Sequence, residues 1–162
     1  MTQRREHNAW PMVISVALAF ILTILPLPEW ARVYRPEWLG LVIIFWCLTT
    51  PTRFGVFTAW SIGLLEDVLR GAIFGQYALV LAFVALLTLS VYRRMRLFPL
   101  LQQSLIVGGV LFLANALNLW IHSAADNPTG PWSYWWPPLI SLLLWPWIYP
   151  LLRGLQARYQ RI

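Results

Sequence analysis

Two adjacent carboxylates, Glu66 and Asp67, are the first residues whose types could do chemistry, and they close an apolar stretch. Paired carboxylates can serve as general acid and base. Adjacent positions on an α-helix point about 100° apart, however, so these two cannot address one bond together. A carboxylate near membrane depth faces a partner charge rather than lipid, and Arg70 and Arg35 are the candidates. A structural Asp67–Arg bond is therefore expected ahead of a proton or ion relay. Asn115 and Asn118 share a helix face. In hydrocarbon their amides must find donors and acceptors, so bonding between helices is their expected use. His7 and His122 are too few for a histidine metal cluster, and His122 reads as an interfacial residue. The single Cys47 excludes an intrachain disulfide and a cysteine zinc site. No Walker loop, Gly-x-Ser-x-Gly elbow or His-Glu-x-x-His occurs. No catalytic residue, metal or cofactor is expected, and the chain does not read as an enzyme.

The 162 residues are 59% apolar and 11% charged, against roughly 45–50% and about 25% in soluble domains. Mean hydropathy is +0.63. Charge is too scarce to cover a water-soluble globule, so an integral membrane protein is expected. Eleven Trp and six Tyr suit the headgroup region. All twelve basic residues are Arg, and the net charge is +6. Nucleic-acid binding needs a contiguous basic face. These arginines instead fall in small groups between apolar runs, so no nucleic-acid partner is expected.

Six apolar runs are marked off by their punctuation, giving spans at about 10–27, 37–51, 54–69, 75–92, 99–121 and 133–152. The second and third are short for a span of roughly 20 residues, and fusing them would leave five spans. Charge decides between the two counts. With six spans and the N-terminus inside, Arg4, Arg5, Arg53, Arg93, Arg94, Arg96, Arg153, Arg158 and Arg161 face the cytoplasm. Arg32, Arg35 and Arg70 lie outside. That is the bias expected of cytoplasmic loops. Fusion would place the Arg93–Arg96 cluster outside. The expectation is one transmembrane domain over 1–162, an all-α six-helix bundle with both termini in the cytoplasm. The first run lacks a small-x-small cleavage site and reads as a retained helix.

The most ordered pattern is a ladder of every fourth residue, Gly55, Ala59, Gly63, Asp67, Gly71 and Gly75. Residues i and i+4 share a helix face, so Gly55, Ala59 and Gly63 form a smooth seam on the third span. Small residues permit close helix approach in lipid. The seam could pack against the span's own neighbours or seat a helix of another protein. Gly71 and Gly75 suit the turn that follows. Pro36 suits the first turn of the second span; Arg35 beside it runs against the charge bias and asks for a partner. Pro146 and Pro150 interrupt the sixth run, where each removes a helical hydrogen bond.

Arg35-Pro36-x-Trp38, the Gly63–Asp67–Gly71–Gly75 ladder and Leu144-Trp145-Pro146-Trp147-Ile148 together resemble the MreD family of rod shape-determining inner-membrane proteins, over nearly the whole chain. The resemblance implies a non-enzymatic scaffold in the bacterial inner (cytoplasmic) membrane, within the elongation machinery (elongasome) that builds lateral peptidoglycan. It would work beside MreC, the actin-like MreB, the glycosyltransferase RodA and its partner transpeptidase. It also implies a fold similar to the substrate-binding subunits of energy-coupling-factor transporters. The family's characteristic positions correspond to Arg35, Pro36, Gly63, Asp67, Gly71, Gly75 and Pro146. The leading expectation is that the seam, with Arg35 and Asp67 at its outer mouth, binds the single membrane helix of MreC. The alternative is a small-solute-binding transporter subunit with a polar pocket drawing on Asn115, Asn118 and Asp67. Membrane lipid is a partner on either reading.

Overall fold

A computed structural model describes residues 9–32, 34–124 and 135–160. Arg4, Arg5, Glu6, His7, Asp126, Ser133 and Arg161, which bear on the charge count and the span boundaries, lie outside the described residues. The elements of the described residues are all helices: α1 Trp10–Ile24, α2 Glu29–Arg32, α3 Trp38–Thr49, α4 Val56–Arg70, α5 Gln76–Met95, α6 Leu100–Ala124 and α7 Trp136–Gln160. Three of these, α5, α6 and α7, are long and apolar enough to cross a membrane; α1 and α3 are shorter apolar helices.

α3 is buried at every position from Leu39 to Leu48, as a helix apolar all round must be. α1, α5, α6 and α7 pack against it. α1 offers it a stripe of every fourth residue, Pro11, Ser15, Ala19 and Thr23. The Trp46 indole N–H donates to Ser15 Oγ at 2.8 Å, and Ser15 donates in turn to the Met12 carbonyl.

Cross-chain contacts sort the helix ends. At one end Tyr34 meets the Trp136 ring at 5.6 Å, Arg35 reaches the last turn of α1, and the end of α4 meets the start of α5. At the other, the Arg96 guanidinium donates to the Leu48 and Thr49 carbonyls at 2.6 and 3.2 Å. Successive long helices therefore alternate in direction.

Two details depart from expectation, and one lies outside it. Pro36 lies two residues before α3 rather than in its first turn, and the Glu37 N–H there donates to Ser141 Oγ on α7. α7 runs unbroken as a helix through Pro146 and Pro150 to Gln160, eight residues past the expected end. A four-residue helix, α2, fills the first connection.

Candidate functional site

The ladder builds a hairpin. Gly63 has no side chain because α5 occupies its space: a β-carbon there would lie 2.4 Å from the Ala78 Cα and 2.6 Å from the Tyr77 carbonyl oxygen. Ala59, one turn earlier, is fully buried. One turn beyond Gly63, Asp67 is buried with its carboxylate on the first turn of α5. Oδ1 accepts the Tyr77 N–H at 2.7 Å, and Oδ2 accepts those of Gly75 and Ala78 at 2.8 and 3.4 Å. Those donors have no partner inside their own helix, and a negative charge there opposes the helix dipole favourably. Gly71 ends α4 at φ 62° and Gly75 begins α5 at φ 95°. Both are left-handed conformations that glycine adopts without steric cost.

Two expectations are thereby corrected. The seam is filled at Gly63 by this chain's own α5, and Ala59 is buried within the bundle, so those residues do not present an open groove to a foreign helix. Asp67 does not pair with an arginine but with three backbone N–H groups. Arg70 pairs instead with Glu66, one turn away on α4, at 2.8 Å. Gly55 stands open at the head of α4, where an added β-carbon would find nothing within 4 Å.

Arg35 resolves differently again. Its guanidinium donates to the Thr23 and Leu25 carbonyls, two of the last acceptors of α1, which lack helical partners. Partial burial, and then the charges of Arg70 and Arg32, lower its pKa from the ordinary value. A guanidinium remains charged regardless.

A polar chain crosses the bundle at this end. Arg70 donates to the Tyr77 hydroxyl at 3.3 Å and lies over the Tyr77 ring at 4.7 Å. Tyr77 is hydrogen-bonded to Asn118. The Gln76 amide donates to Asn118 Oδ1 at 2.5 Å and meets His122 Nε2 at 2.8 Å. Asn118 and His122 thus tie α6 to α5, while Glu66 and Arg70 tie in α4. Glu37, Glu66, Tyr77, Asn115 and Asn118, together with apolar residues such as Val84 and Leu111, line a partly open cavity of about 20 Å³, room for one water. Asp67 does not line it, so the expected solute pocket of Asn115, Asn118 and Asp67 does not form. A wider mouth of about 490 Å³ opens beside Arg70, Gln76, Tyr77 and His122. Sequence reasoning misses Gln76 and Tyr77, although a glutamine opening an apolar helix directly after Gly75 is a visible signal.

Pro146 sits beside Trp145, which is fully buried and packs on Tyr149, whose ring meets Phe45 of α3 at 5.6 Å. Its place is in helix packing. Glu66 and Asp67 point to different partners, as their spacing requires, and address no common reacting atom.

The family profile described as rod shape-determining protein MreD matches residues 4–155. A rod shape-determining protein MreD of Haemophilus influenzae is 28% identical over 157 residues, covering 96% of this chain and 97% of that one. No solved structure matches the chain. That family is not known for enzymatic activity, and its part in cell shape agrees with apolar helices long enough to cross a membrane. With the match reaching all seven helices, the chain belongs to the MreD family of rod shape-determining proteins.

Proposed function

We propose that this chain is a six-crossing, non-enzymatic scaffold of the inner membrane, with both termini in the cytoplasm. It binds MreC and so links peptidoglycan synthesis to MreB, RodA and the elongation transpeptidase. Family membership supports the role in rod shape. The alternating direction of the six longer helices supports the crossing number, and the arginine bias supports the orientation. One observation carries the scaffold reading: Asp67, the most buried carboxylate among the described residues, is committed to three backbone N–H groups as a structural clamp. The fold likeness to energy-coupling-factor substrate-binding subunits belongs to the same proposal.

If MreC meets α4, it does so through lipid-facing positions such as Phe57, Trp60, Leu65 and Val68, all exposed, with Gly55 at the open end. Single cysteines along residues 54–69 in a Cys47→Ser background test this. Crosslinks to MreC are expected at the exposed positions and not at Ala59 or Gly63. Efficient crosslinking from Gly63→Cys, or no association with MreC in any variant, would overturn it.

A second reading has the outer mouth in its favour, since about 490 Å³ lies within the usual range for small-ligand pockets. A solute carrier subunit would be stabilised by its solute. A metabolite that raises the melting temperature of the purified protein, but not of its Gln76→Ala variant, would support it. No shift from any compound would remove it.

A further inference from the structure

α1 leaves Val13, Leu18, Ile21 and Ile24 more than half exposed. On one flank an open groove of about 500 Å³ runs between α1, α3 and α7, walled by Leu18, Leu22, Leu41, Leu151 and Leu155 and ending at Arg158. Its one hydroxyl, Ser15, is already bonded to Met12 and Trp46, and apart from Trp38 and Arg158 the other side chains of the walls are aliphatic. On the other flank a second groove, of about 400 Å³, runs between α1 and α4 and also includes an arginine, Arg53. The two sides of α1 thus repeat one arrangement, an apolar trough with a guanidinium.

Depth matches charge. Trp136 stands at the opposite end of the molecule, beside Tyr34. Arg158 lies 22 residues further along α7, about 33 Å at 1.5 Å per residue. The hydrocarbon layer is about 30 Å thick, so the leucines lie at acyl depth while Arg158 reaches the headgroups. The lining narrows the occupant. An apolar trough that carries one guanidinium has the pattern of an acyl chain below a charged headgroup. A phosphodiester supplies the acceptor that a guanidinium takes best.

We propose that the α1–α3–α7 groove holds one acyl chain of an anionic phospholipid, with its phosphate on Arg158. The lipid wedges α1 against the bundle where the protein's own side chains leave a gap. The inference needs neither MreC nor a fixed crossing number, so its failure and that of the scaffold reading are separable.

Native mass spectrometry of the full chain, taken from vesicles of equal phosphatidylglycerol and phosphatidylcholine, tests it. Retained lipid is expected to be enriched in phosphatidylglycerol, and Arg158→Gln should cut that preference about five-fold. Leu18→Trp with Gly154→Leu fills the groove and should remove one bound lipid per chain. A side chain at Gly154 starts in open space, with nothing within 4 Å. Should that double variant melt early, Leu155→Trp alone must give the same loss. An unchanged preference in Arg158→Gln, an unchanged lipid count in the filled variants, or a crosslink from Leu151→Cys to a second copy or another protein would overturn the proposal.

Discussion

A methyl group on Gly63 would meet backbone, 2.4 Å from the Ala78 Cα, and backbone cannot swing aside as a side chain can. Overpacking of this kind costs about 1–3 kcal/mol. Gly63→Ala is expected to lose that much in unfolding of the purified protein. Gly109→Ala, where nothing lies within 4 Å, should be neutral or gain up to about 1 kcal/mol from helix propensity. Equal effects at the two sites would mean the close approach is not what the glycine provides. Asp67 makes a sharper case. Asn at that position keeps one oxygen but turns an amide N–H₂ toward a backbone donor. Leaving buried donors unmatched costs about 1–3 kcal/mol, so Asp67→Asn should destabilise by about 2 kcal/mol and Asp67→Ala by more. Glu66→Gln, which still accepts a bond from Arg70, should do far less.

Between elements, two arginines serve as caps brought from elsewhere in the chain. Arg96, past the end of α5, closes the last turn of α3, and Arg35 closes that of α1. α3 has no basic residue in its own last turn, so its final carbonyls depend on Arg96. Arg96→Ala should lose about 1–3 kcal/mol and speed amide exchange at the end of α3. Arg94→Ala, two positions away and exposed, should leave both unchanged. These pairings also show what a sequence can convey. The apolar runs, the turn glycines and the closeness of Gly55, Ala59 and Gly63 on one face follow from local periodicity. Which helix covers that face does not, because Ala78 and Tyr77 come from beyond a turn whose geometry is set by Asp67. A carboxylate in an apolar run reads as seeking an arginine, since a backbone N–H leaves no mark in the sequence. Arg35 is conspicuous for running against the expected charge bias, but its carbonyl partners are equally invisible.

For the whole molecule, exposed arginines are unequally shared between the ends. At the end holding Asp67 and His122, Arg35 and Arg70 are drawn into internal bonds, to carbonyls and to Glu66, and Arg32 is exposed. At the opposite end Arg93, Arg94, Arg153 and Arg158 are exposed, available to headgroups or to water. Positive charge collects on the cytoplasmic side of short loops, and the proposed orientation puts the second end there. In that orientation Arg35 and Arg70 are outer charges held by internal partners. Exposed Thr52 and Phe74 lie in connections at opposite ends, and each can be replaced by cysteine in a Cys47→Ser background. Phe74→Cys should react with a membrane-impermeant maleimide in intact cells whose outer membrane has been made permeable. Thr52→Cys should react only once the inner membrane is opened. The reverse pattern would turn the molecule over, put the exposed arginines on the side away from MreB, and leave a scaffold reaching from wall to filament without a physical basis.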